Sequence, residues 1–419
     1  MRQFFTLYRF ELKKIFQKRY VPALLALCIA LTVVLNVRPL LGEQTVAYVD
    51  EQQQFHFETV SNYEAIQLER RFAREDAGKP LDNEAVWTMQ EMNRRYQEIY
   101  NQYAPDLTCV LLNHSLVFET LGRMGVNPVA EHIEYPADYA YQNLERGREE
   151  EFSSQLLSQE EIAYWEREGT RLTMPFVMEY TGGWRGILEK ANWLNLMVLV
   201  FALVSLCSSF SDAYKTRPLL ASAAHSRMPL TLARLAAGVS LACGCVLLLF
   251  GLTAAIQFFV HGAGGAQMPI QLLELESDQR GIGDAHLSYS CRDMTAGQAV
   301  LVTAGMSLLI ALFAGALSML LSKLLRRGVP ALALPLGLLL LSMIFEPPFY
   351  YYDRVRAQIW SYMPIQRLYQ TFLADERLVS LGGVQLDCIF VSAILYGGLA
   401  VIALATCIWL CKTRAVDRK

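Results

Sequence analysis

Six stretches of this 419-residue chain are long and apolar enough to cross a bilayer: residues 20–37, 191–210, 235–260, 297–322, 329–345 and 388–411. A hydrocarbon core about 30 Å thick takes about 20 residues of helix. Backbone crossing it must satisfy its own hydrogen bonds, so each stretch is read as a helix. One such run also fits the core of a soluble enzyme, but six bordered by polar, basic or aromatic residues do not. The sequence therefore predicts an all-α polytopic membrane protein. It has six transmembrane helices and a large, mainly helical extracytoplasmic domain between the first two. The run at 329–345 is the shortest and has Pro330 and Pro335 in its first half, so it is expected to kink or tilt. Basic residues precede the first run, but no small-x-small cleavage site follows it before Gly42-Glu43, so it is read as a retained span rather than a signal peptide. A chain that is 53% hydrophobic and 18% charged is neither disordered nor built to coat nucleic acid.

The flanks give the orientation, because Lys and Arg stay on the cytoplasmic side. Residues 1–19, 211–234, the turn carrying Lys323, Arg326 and Arg327, and the tail 412–419 have net charges of +5, +3, +3 and +3. Six spans put all four on one face, so both termini are expected in the cytoplasm and the protein in the cell membrane. Residues 43–189 then fold outside. They hold 27 acidic and 12 basic residues, so the small net charge of −3 for the whole chain hides strong polarity across the bilayer.

Within 43–189 the pattern suggests amphipathic helices from about Tyr48 to Arg74 and from Asp82 to Tyr103, the second ended by Pro105. Ser158 to Glu161 has the form of a capping box, and the Gly- and Pro-rich 122–138 stretch reads as a dividing loop. Two further outer segments are expected at 261–296 and 346–387. The aromatics Phe349, Tyr350, Tyr351, Tyr352 and Trp360 suit the membrane–water boundary, either as anchors or as an outer lid.

Several chemistries are missing. No Walker A pattern, H-E-x-x-H or G-x-S-x-G occurs. The six histidines are scattered and the nine cysteines form no C-x-x-C, so no metal site or disulfide framework is expected; Cys109, Cys291 and Cys388 are the ones that could face outside. The spans hold no Asp, Glu, Lys, Arg or His between their flanks; the third carries only Gln257, with Arg234 at its inner mouth. Ion-coupled transporters place ionisable groups within the membrane, so energy for any transport is expected from another chain.

The layout resembles the permease subunits of type-2 ATP-binding-cassette exporters, which have six spans, cytoplasmic ends and often a large outer domain after the first span. Residues 1–19 form a basic amphipathic helix with Phe5, Tyr8, Leu12, Ile15 and Phe16 on one face and charges such as Lys13 and Lys14 on the other. Family members lay such a helix along the inner leaflet. Residues 210–238 resemble the family's coupling loop, with Asp212, Lys215, Leu219-Leu220, Ser226-Arg227 and Arg234 at matching places. Arg217-Pro218 stands where relatives have a glycine. Pro175-Phe176 and the Gly182-Gly183-Trp184 turn lead into the second span as in many relatives.

The resemblance implies a non-catalytic subunit that works with a cytoplasmic ATPase chain. ATP and magnesium would sit on that partner, with no cofactor on this one. The pathway would form between two copies, or one copy and a related permease, within the lipid bilayer. Spans this apolar favour an amphipathic peptide, lipid or hydrophobic drug as substrate. The alternative is a membrane sensor or immunity protein that binds a ligand through its acidic outer domain.

Overall fold

The computed structural model describes residues 2–49, 54–76, 94–95, 109–111, 182–211, 227–267, 294–344, 373, 378–381 and 384–416. These are mainly helical, in chain order α1 (Arg2–Phe16), α2 (Tyr20–Val37), β1 (Glu43–Val49), β2 (Phe55–Ser61), α3 (Asn62–Asp76), β3 (Cys109–Leu111), α4 (Gly182–Leu206), α5 (Arg227–His261), α6 (Ala296–Leu325), α7 (Gly328–Ile344), β4 (Leu378–Leu381), β5 (Val384–Asp387) and α8 (Cys388–Val416). Five helices are long and apolar enough to cross a membrane: α2 with its 3-10 extension to Leu41, α4, α5, α6 and α8. α7 is a shorter apolar helix of 17 residues with Pro335 inside it. That proline has no N–H to give the preceding turn.

The helices share one apolar core. Leu194, Phe201, Leu203 and Leu206 of α4 sit at its centre, against Leu249 of α5, Ile310 of α6 and Tyr396 of α8. The opposite surfaces of α2, α5 and α8 expose Leu27, Leu247, Phe390 and Ile402, the pattern of helices solvated by lipid. Small residues let the helices approach closely. A Cβ on Gly238 would stand 2.5 Å from the Met319 sulfur of α6.

Two helices run past their apolar limits. α4 starts at Gly182, so Arg185, Glu189 and Lys190 occupy its first turns rather than a loop before residue 191. α5 starts at Arg227, two turns before the expected span. At 1.5 Å per residue its 34-residue span is about 51 Å long, well beyond the hydrocarbon core. Pro229 does not stop it, because N–H groups in a first turn have no helical partner in any case. α6 runs on to Leu325, which puts Lys323 inside a helix instead of in the turn after it. Thr295 and Gln298 form a reciprocal capping box at its start, at 3.3 and 2.9 Å.

The first part of the outer segment corrects the sequence reading. A helix from Tyr48 is replaced by an antiparallel pair, β1 with β2, registered from Glu43 opposite Ser61 to Val49 opposite Phe55. β3 adds in parallel on the other side of β1. Aromatic and β-branched residues at alternate positions fit a pleated surface better than a helix, and Val46 is fully buried against Ala65 and Phe72 of α3. α3 begins at Asn62, where Ser61 and Glu64 cap one another: the Ser61 amide and hydroxyl donate to the Glu64 carboxylate at 3.0 and 2.9 Å. Those two bonds hold the Glu64 carboxyl below the usual range. Of the expected helix at 82–103 only residues 94–95 are described, and they are helical; the capping box at 158–161, the loop at 122–138 and the aromatic cluster Phe349, Tyr350, Tyr351, Tyr352 and Trp360 lie outside the described residues.

Candidate functional site

The end of the bundle that holds the N-terminal helix gathers most of the buried charge. α1 packs along α5 through Tyr8, Leu12 and Ile15, with Ile15 buried. Residues at i, i+4 and i+7 share a stripe, and Glu11 falls on the same stripe. Glu11 meets Arg234 in a bidentate pair: Nε donates to Oε2 at 2.9 Å and a terminal nitrogen to Oε1 at 2.8 Å. The two side chains are 4% and 5% exposed, so the pair is closed to solvent. A fork meeting a carboxylate satisfies two donors in one plane, which fixes distance and angle together.

Phe210 extends this joint to two more helices. Its ring lies 5.1 Å from the Arg234 guanidinium and 5.2 Å from the Lys323 ammonium. Both are within cation–π range. Lys323 donates to the backbone carbonyl of Cys407 in α8. Ser322 of α6 accepts from the backbone N–H groups of Phe210 and Ser211 at 3.0 and 3.1 Å, serving a chain end that has left the helix. On the neighbouring side, Lys18 and Tyr20 reach the Ser208 hydroxyl at 2.5 and 3.0 Å, tying the α1–α2 junction to the exit of α4. Helices α1, α2, α4, α5, α6 and α8 are therefore linked around residues 208–211, immediately before the segment 212–226.

The sequence-predicted residues divide three ways. Asp212, Lys215, Arg217 and Ser226 lie outside the described residues, and Arg227 is the first residue of α5. Arg234 lies two turns inside α5, and its guanidinium is engaged within the chain. In α1, Tyr8, Leu12 and Ile15 face the core. Phe5 and Phe16 are exposed along the edge of that stripe, and Lys13 is exposed beyond them. The single aromatic face expected from the sequence is thus two adjoining strips, one toward protein and one outward. Arg234 and Lys323 also correct their sequence placement as flank charges: both are buried inside helices. Nothing in the local pattern marked Glu11 as the partner of Arg234, since 223 positions separate them.

Polar side chains deeper in the bundle pair with each other. The Ser307 hydroxyl donates to Asn195 Oδ1 at 2.5 Å, and Gln257 Nε2 donates to Asn36 Oδ1 at 2.7 Å. Among the described residues no group of His, Cys, Asp and Glu could hold a metal ion. Cys388 is buried, like Cys28, Cys207, Cys245 and Cys407. No protein family, curated protein or solved structure matches the chain.

Proposed function

We propose that the chain is the permease subunit of an ATP-binding-cassette exporter. In this reading it crosses the cell membrane six times, the shorter helix α7 being the fifth span, with both termini in the cytoplasm. The observation that carries the reading is the closed Glu11–Arg234 joint. It fixes the N-terminal helix to the base of α5 at the point where the segment 212–226 returns to the bundle. A chain that receives work from a cytoplasmic ATPase needs a stiff link there, because a flexible one dissipates displacement before it reaches the spans. Exposed Phe5 and Phe16 beside exposed Lys13 and Arg9 suit α1 to the inner leaflet, with rings among acyl chains and charges among headgroups.

The segment carrying Asp212, Lys215, Arg217 and Ser226 would dock on the ATPase, which holds the ATP and magnesium. Two copies, or one copy and a related permease, would form the pathway for an amphipathic peptide, lipid or hydrophobic drug. The test is affinity purification of the tagged chain from its native membrane in mild detergent, with the captured proteins screened for an ATP-binding-cassette ATPase. Recovery of a complex whose ATPase rate responds to the permease supports the proposal, and a permease that captures no ATPase overturns it.

A further inference from the structure

At the opposite end of the bundle, beyond the apolar parts of the spans, α2, α3, α4 and α5, with Gln44 of β1, line a half-open cavity of about 340 Å³. That is within the range of small-molecule sites. Its wall includes two amide side chains whose oxygens are buried and have no hydrogen-bond partner among the described residues: Gln257 Oε1 and Asn62 Oδ1.

The surrounding bonds fix which end of each amide is left over. Asn36 Nδ2 donates to the Thr32 carbonyl at 2.7 Å and to the Thr253 hydroxyl at 3.5 Å, so Asn36 presents its oxygen to Gln257. Gln257 must answer with its nitrogen, at 2.7 Å, which leaves its oxygen unused. Asn62 Nδ2 donates to the Pro39 carbonyl at 2.6 Å, which leaves its oxygen unused in the same way. Gln257 is 5% exposed, and its free oxygen lies over Gly186, a position where any Cβ would collide with it. Two desolvated acceptors in one cavity wall carry the full penalty of an unmade hydrogen bond. A donor entering the cavity relieves it.

The charges of the wall narrow the ligand further. Arg185 and Lys190 stand with Glu69 and Glu189, and Arg185 and Lys190 both lean on Glu189 at 3.0 and 3.8 Å. Two cations and two carboxylates cancel, so the wall selects for neither an isolated anion nor an isolated cation. A molecule with both charges and spare N–H donors matches it. We propose that this cavity binds a zwitterion in which a primary ammonium stands beside an anionic group. The ammonium donates to Gln257 and Asn62, and the anion rests near Arg185 and Lys190. Such a group comes either from a lipid headgroup at the membrane boundary or from a free molecule outside, and the site is independent of the ATPase proposal.

The test uses the full chain in detergent and in phosphatidylcholine nanodiscs. Phosphoethanolamine is titrated calorimetrically against phosphocholine, whose quaternary nitrogen has no N–H. Expected is at least tenfold tighter binding of phosphoethanolamine, lost in Asn62→Ala and in Gln257→Leu. Retention of phosphatidylethanolamine over phosphatidylcholine in native mass spectra, without binding of the soluble probe, supports a lipid source. Binding of the soluble probe supports a free one. Asn62 is only half-buried and is not part of the apolar core, so the test stands on Asn62→Ala even if Gln257→Leu fails to fold. Equal affinity for the two amines, no preference in either arm, or preference unchanged in Asn62→Ala overturns the proposal.

Discussion

The Glu11–Arg234 pair can be measured by a double-mutant cycle with Glu11→Met, Arg234→Met and the two together. Both side chains are about 95% buried, so each single substitution strands a charge in a solvent-free site. Breaking a buried pair by removing one partner costs about 3–5 kcal/mol. In Glu11→Met the guanidinium keeps the Phe210 ring 5.1 Å away, which returns about 1 kcal/mol and leaves a net cost of about 2–4 kcal/mol. In the double variant no charge is stranded and methionines fill the space, so it should lie within about 1 kcal/mol of the native protein. The coupling energy is then about 4 kcal/mol or more. Equilibrium unfolding in mixed detergent–SDS micelles, followed by tryptophan fluorescence and far-UV dichroism, gives all four corners. If the single costs sum to the double cost within about 0.5 kcal/mol, the two residues are energetically independent and the joint does not exist. In the proposed exporter, a native-like double variant that lost export while the ATPase still turned over would show that the charges serve coupling rather than assembly.

Other substitutions probe separate features. Arg227→Glu should leave membrane insertion intact and release ATP hydrolysis from export, measured as ATP consumed per substrate moved; an unchanged ratio removes residue 227 from the coupling surface. Gly186→Val should displace Gln257 from Asn36 and cost about 1–3 kcal/mol by overpacking, whereas Gly244→Val, where a Cβ meets nothing within 4 Å, should be nearly silent in the same melting assay. Asn195→Leu takes the acceptor from Ser307 and should cost about 0.6–1.7 kcal/mol, the range for hydrogen bonds between membrane helices. For the Ser61–Glu64 cap the folded carboxyl is depressed, so its contribution is present above the ordinary carboxylate range and lost as pH falls through the lower folded value. Protection of the Ser61 amide in hydrogen exchange should follow that acid limb, and its pH dependence should disappear in Glu64→Gln, whose amide oxygen still accepts the bond but does not titrate.

Sequence reading located the spans because lipid imposes a composition that local windows detect. It misplaced their ends where protein, rather than lipid, surrounds the helix. α5 carries Arg227 and Arg234 within its first turns because Glu11 neutralises the second of them, and that partner lies on another helix. α6 holds Lys323 because the Cys407 carbonyl accepts from it. An isolated charge signals a span boundary only if nothing in the fold answers it. The outer strands were missed for a related reason: the Gln- and Glu-rich 51–54 stretch suits a helix, while the alternation in Phe55, Phe57 and Thr59 gains its meaning only from β1 alongside. The cavity amides gave no local signal, since Asn36, Asn62 and Gln257 come from three distant helices and are polar exceptions until brought together.

The Ser322 hydroxyl holds one end of the 212–226 segment, through Phe210 and Ser211, while Arg234 on Glu11 holds the chain soon after it returns. The two moorings are on different bodies, α6 and α1. A uniform shift of the segment therefore loads both together, whereas a rotation pulls one and slackens the other. In the proposed exporter, torque on this stretch would be passed to α6 and α1 in opposite senses, so cross-links between those two helices should stall export more effectively than cross-links within either.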